Sequence, residues 1–210
     1  MPVDQTQLEQ VHETITVCCD CKREFRSAKF SVVCPPGRLY PTPPQNVTVL
    51  FIGVAPPRAG EHFYTLANDG LQRGLFSVLS ECGFECRTID DFHAHGFYLS
   101  HTAKCPIAGT PKPKREVCVF CTSKYLPAEI HALQPDAVCF LSKTNGLASC
   151  AVSARALGYR EDVRPSVPFQ LSMAGKVIRV LVTGWPGRRG LAACRHDLSP
   201  FLAPLKARSA

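Results

Sequence analysis

Two segments, residues 47–53 (VTVLFIG) and 136–142 (DAVCFLS), are continuously apolar through their middles. That pattern predicts strands buried on both faces of a parallel sheet. Residues 176–183 (KVIRVLVT) form another candidate strand, paired with 169–173 (FQLSM) through a turn at Ala174–Gly175. Residues 85–89 and 97–102 are further strand candidates. Helical spacing links Leu71, Leu75, Phe76 and Leu79, with Asn68 or Asp69 placed to cap that helix. It returns at Leu126, Ile130 and Leu133, where Pro127 either interrupts the helix or marks its first turn. Helices are also expected over residues 1–16, 145–157 and about 190–206. Between them, residues 34–46 (CPPGRLYPTPPQN) carry too many prolines for a helix or central strand and read as an irregular surface wrap.

Strands alternating with helices imply an α/β fold: a three-layer α/β/α sandwich around a mostly parallel sheet of about four strands. One domain spans 1–210, with residues 1–46 as its N-terminal helix and Pro-rich wrap. Ligands in such sheets bind at the carboxyl ends of the strands. Three unusual loops fall there: GVAPPRAG after the first strand, HTAKCP after residues 97–102, and GWPGRRG after 176–183.

Composition changes this picture in two ways. The 210 residues carry 24 Lys plus Arg against 17 Asp plus Glu, a formal charge of +7, which attracts phosphates and favours a nucleic-acid partner. Twelve cysteines in a chain that opens on polar, acidic residues instead of an apolar leader point to a cytoplasmic setting with reduced, metal-binding thiols. No apolar run approaches the roughly 20 residues of a membrane span, so no membrane partner is expected; the protein is expected to be a monomer.

The cysteine spacing carries the chemistry. Cys18 and Cys21 form a CxxC pair, and Cys105 and Cys121 follow as later ligands suited to one metal centre, either iron–sulfur or zinc. Cys118 with Cys121 offers a second CxxC arm for zinc, and Cys19 and Cys34 are competing ligands. Cys139 and Cys150 sit in apolar segments and read as packing, as do Cys82 and Cys86.

The contexts FYLSHTAKC and CTSKYLPAEIHALQPDAVCFL resemble the iron–sulfur branch of the uracil-DNA glycosylase superfamily. There a strand ends in a lysine–cysteine pair, and a helix opens with the last cluster cysteine. The segment VLFIGVAPP resembles the first superfamily motif, a strand ending in Gly-x-Ala-Pro-Gly, and VLVTGWPGRRG resembles the second, usually His-Pro-Ser. The resemblance implies a [4Fe–4S] cluster on Cys18, Cys21, Cys105 and Cys121, with zinc as the alternative, in a structural role. It also implies hydrolysis of the N-glycosidic bond of a damaged or deaminated base in single- or double-stranded DNA.

Gly53, Val54, Ala55 and Pro56 would then line the base site. Phe63 and Tyr64 lie where an aromatic stacks on the extruded base, one of the two being expected in the core instead. His101 takes the place of the asparagine that reads uracil; a histidine cannot present an amide's paired donor and acceptor. Trp185 stands where a histidine stabilises the departing base, followed by Pro186 and Gly187. Arg188, Arg189, Lys112 and Lys114 are candidate phosphate contacts, and His93, His95, Asp90, Asp91, His196 and Asp197 are further ionisable candidates. The departures at 101 and 185 leave two alternatives open: an iron–sulfur protein that binds nucleic acid without cutting it, and a zinc-stabilised interaction module.

Overall fold

A computed structural model of the chain describes residues 2–26, 31–34, 40–57, 63–65, 69–108, 115–173, 175–187 and 190–206. The elements in order are α1 (Gln5–Thr16), α2 (Asp20–Glu24), β1 (Ser31–Val32), β2 (Val49–Gly53), α3 (Gly70–Glu81), α4 (Ile89–Ala94) and β3 (Phe97–His101). They continue with β4 (Ile107–Ala108), α5 (Arg115–Leu133), β5 (Ala137–Leu141), α6 (Asn145–Ala156), β6 (Phe169–Met173), β7 (Lys176–Thr183) and α7 (Leu191–Lys206).

The main sheet has five strands in the order β3-β2-β5-β7-β6. Four of them run parallel, and β6 is an antiparallel edge strand on β7. Side chains alternate across the sheet with period two, so each continuous apolar run feeds both faces. Leu50, Ile52, Val138, Phe140, Val180 and Val182 face a core shared with α1, α5 and α6. Val49, Phe51, Cys139, Leu141 and Leu181 face the opposite core, built with α3, α4 and α7. This is the expected three-layer sandwich.

Several expectations need correction. Residues 85–89 are not a strand: Thr88 and Asp91 form a capping box that starts α4 at Ile89, each satisfying a backbone N–H of the other. Helix α5 begins at Arg115, so Cys121 lies inside it and does not open it, and Pro127 sits in its interior. The missing hydrogen bond costs roughly 3 kcal/mol, which burial of Val117, Cys118 and Cys121 before the proline and of Ile130, Ala132 and Leu133 after it outweighs. The described part of the Pro-rich wrap, residues 40–46, holds no helix or strand, as expected. Ahead of it lie two elements the sequence reading did not include: α2, and β1, which pairs antiparallel with β4 just beyond Cys105. Asp69 caps α3, accepting from the N–H groups of Leu71 and Gln72; Asn68 lies outside the described residues.

Candidate active site and thiol group

Because β2, β3, β5 and β7 are parallel, the loops that follow them emerge at one edge of the sheet. The first-motif turn and the segment after β3 are zipped together past the ends of their strands. Thr102 N–H donates to the Gly53 carbonyl and Ala103 N–H to that of Val54, each at 2.9 Å; the Thr102 hydroxyl also donates to Val54 O at 2.6 Å. Gly53 pairs directly with His101. A Cβ at position 53 would lie 2.9 Å from Cδ2 of His101 and 3.2 Å from its Nε2, so only glycine lets the imidazole edge lie against this turn. His101 is buried, with Nδ1 3.2 Å from the Tyr40 hydroxyl. Val54 and Ala55 are half-buried and Pro56 is buried.

Beneath this turn lies a charged network that sequence reasoning missed. The Lys104 ammonium, 1% exposed, donates to Ser100 Oγ at 2.6 Å, to the His101 carbonyl at 2.7 Å and to the Glu129 carboxylate. Glu129 is fully buried on α5, also accepts from Ser100, and stands 3.5 Å from His12 Nε2 of α1. Burial opposes its charge, but Lys104 and then His12 outweigh that and hold its pKa below the usual carboxylate range.

The two aromatics of the first loop are both engaged. Phe63 packs in the core against Phe76 and Phe92, with ring centroids 5.7 and 5.1 Å away. Phe63 is therefore the one of the two that lies in the core, and it leaves the base-stacking candidates. The Tyr64 hydroxyl donates to the Leu99 carbonyl and accepts from the Leu99 N–H. Strand β3 is a sheet edge, so Tyr64 satisfies main-chain groups that a neighbouring strand would otherwise take.

The last loop is built on glycines. A Cβ on Gly74 of α3 would sit 1.6 Å from the Pro186 carbonyl oxygen, and one on Gly187 would meet the Trp185 indole at 2.7 Å. Gly190 N–H closes the turn onto the Gly187 carbonyl at 2.8 Å. Trp185 is 44% exposed at this edge of the sheet. Arg188, Arg189, Lys112 and Lys114 lie outside the described residues.

The remaining ionisable candidates do not join His101. His95 bonds the Glu85 carbonyl and, with His93, precedes the start of β3, whereas His101 ends it, roughly 13 Å along the strand. Asp91 is spent on the α4 cap. Asp197 accepts from Ser166 and Thr183 and pairs with Lys143, while His196 is solvent-exposed.

The four cysteines expected as ligands are brought together from distant parts of the chain. The Cys21 thiol shares hydrogen bonds with those of Cys105 and Cys121, and Cys18 is close enough to oppose its ionisation. The bond to Cys105, then burial, push the Cys21 pKa up to about 12. Lys104 N–H donates to Cys121 Sγ at 3.2 Å, and Tyr125 bonds Cys18. Cys118 meets Thr102 instead. Among the described residues, no three His, Cys, Asp or Glu side chains stand at ion-coordinating geometry. Cys19 and Cys34 form a disulfide, which corrects the expectation that they are reduced and compete as ligands. Cys82, Cys86, Cys139 and Cys150 are buried as packing.

Residues 40–189 match the family model of the uracil DNA glycosylase superfamily. The match covers well over half of the sequence, and the chain belongs to that superfamily. No curated protein matches it at a significant level. No described helix is long and apolar enough to cross a membrane.

Proposed function

We propose that the protein excises a damaged or deaminated base from DNA by hydrolysing its N-glycosidic bond. The observation that carries this reading is the contact between the first-motif glycine and the residue in the base-reading position: the His101 ring lies edge-on against Gly53, on adjacent parallel strands. A flipped nucleotide, extruded at a cost of a few kcal/mol, would enter over Gly53–Pro56, with the His101 imidazole offering a hydrogen bond to the base edge. Trp185 supplies an exposed stacking face in place of a charged stabiliser. Lys112, Lys114, Arg188 and Arg189 would contact phosphates.

Cys18, Cys21, Cys105 and Cys121 form a donor set that fits a [4Fe–4S] cluster. Three of the sulfurs are buried, those of Cys105 and Cys121 each within hydrogen-bonding reach of Cys21, and a backbone N–H already points at the Cys121 sulfur. Such a group would supply a cross-link between the N-terminal wrap, the end of β3 and α5. Zinc is the competing occupant, and the contact of Cys118 with Thr102 favours Cys105 as the third ligand in either case. Brown protein absorbing near about 400 nm with Cys-dependent iron supports the cluster; colourless protein containing zinc rejects it.

A second reading, binding without excision, is favoured by one observation: Trp185 cannot carry the positive charge that a histidine offers a departing base anion. Oligonucleotides bearing uracil or hypoxanthine, single- and double-stranded, followed by alkaline cleavage of abasic sites, separate the two. Strand breaks that disappear in His101→Ala protein of unchanged metal content support excision. Salt-dependent binding with no breaks on any substrate supports the second reading.

A further inference from the structure

We propose that Tyr40 is a positioning residue of this site: its hydroxyl donates to Nδ1 of His101 and fixes the neutral imidazole with its proton on Nε2, the edge that lies against Gly53. Three observations lead there. The Tyr40 hydroxyl and His101 Nδ1 are 3.2 Å apart, and both side chains are buried, at 3% and 2% exposure. Ser100, also within hydrogen-bonding reach of Tyr40, is a poor competitor for its proton. The Ser100 Oγ already accepts from the Lys104 ammonium at 2.6 Å and passes its own proton to Glu129. The ring nitrogen's lone pair is a stronger acceptor than that hydroxyl. Finally, the Tyr40 ring is held from two sides, by the His12 ring at 5.3 Å and by Lys104 Nζ at 5.4 Å from its centroid, so the hydroxyl direction is set by packing.

Which ring nitrogen of a histidine keeps its proton is decided by the hydrogen bond made at the other. With Nδ1 serving as acceptor, Nε2–H is a donor, and the ring offers the base site one N–H. That edge satisfies a carbonyl oxygen or an unprotonated ring nitrogen and leaves an exocyclic amino group unpaired. The consequence for base selection rests on the excision reading; the tautomer itself does not.

The test needs no substrate. Full-length protein labelled with 15N-histidine is examined by long-range proton–nitrogen correlation, the His101 pair being identified by its loss in His101→Gln. The expected result is a pyrrole-like Nε2 and a pyridine-like Nδ1, with Tyr40→Phe shifting the ring toward a mixture of tautomers. A pyrrole-like Nδ1 in the wild type, or two protonated nitrogens at neutral pH, overturns the proposal whatever the variants do. An unchanged His101 pattern in a folded Tyr40→Phe protein overturns it as well. An absence of excision activity would sink the functional reading and leave this result standing.

Discussion

Replacing Glu129 by Gln tests whether the ion pair beneath the site holds the fold in the way its burial implies. The carboxylate is 0% exposed and Lys104 only 1%, so neither charge has water to fall back on. Glutamine keeps the shape, and the acceptors on Ser100 and His101 remain, at 2.6 and 2.7 Å from the ammonium. Only the compensating charge is lost. Removing one partner of a buried pair costs about 3–5 kcal/mol, because the other charge is left uncompensated. At about 2–4 °C per kcal/mol for a chain of this size, the thermal midpoint should fall by about 10 °C. Urea unfolding followed by circular dichroism, at equal metal content, gives the free energy directly.

Adding Lys104→Met removes the stranded cation, and the double variant should recover at least half of the loss. The pH dependence has a definite sign. The folded-state pKa of Glu129 is lowered, so its contribution is complete above the unfolded value, about 4.3, and is lost as pH falls through the lower folded value. The gap between wild type and Glu129→Gln should therefore close in acid. A cost under about 1 kcal/mol at neutral pH, or a double variant as unstable as the single one, would refute the reasoning.

Other perturbations reach the rest of the molecule. Gly74→Ala drives a methyl group to within 1.6 Å of the Pro186 carbonyl oxygen; the backbone must move, at about 1–3 kcal/mol, and DNA binding measured by fluorescence anisotropy should weaken with it. The Cys19–Cys34 bridge joins residues 15 apart, which predicts about 3 kcal/mol of stabilisation. A thiol reductant should remove it from the wild type and leave the urea midpoint of Cys34→Ser unchanged. Trp185 is the only tryptophan and is 44% exposed, so its fluorescence should be quenched by single-stranded oligonucleotide. Trp185→Ala should lose about 1–3 kcal/mol of binding with stability within about 0.5 kcal/mol of wild type; an unquenched tryptophan would remove it from the interface.

What could be read from the chain and what could not divide along physical lines. Strands β2 and β5 were legible because burial on both faces demands an unbroken apolar run, and both appear where that run predicts. The helix α4 was missed although its signal was present: Thr88 and Asp91 stand at capping-box spacing, and the short stretch before them was given a strand's reading instead. The start of α5 was misplaced because the resemblance set it at Cys121, and Pro127 was open to reading as an interruption or a first turn. Local propensity argues for a break there, and only the tertiary burial of both halves overrides it. That error hid Glu129, whose inward direction follows from the register of a helix already running for nearly four turns before it.

The site itself was legible in its cysteines and loops but not in its polar supports, for a reason of distance along the chain. Tyr40 and His101 are 61 residues apart, and Lys104 and Glu129 are 25 apart. No periodicity joins such pairs, and Tyr40 sits in a Pro-rich stretch whose composition suggests surface. Lys104 shows what this means for function. Its main-chain N–H is committed to Cys121 Sγ, while its ammonium holds the carbonyl of His101. A shift of the thiol group is therefore passed to the end of β3, and on the proposed function a metal centre held there would act on the base site through one residue's two ends.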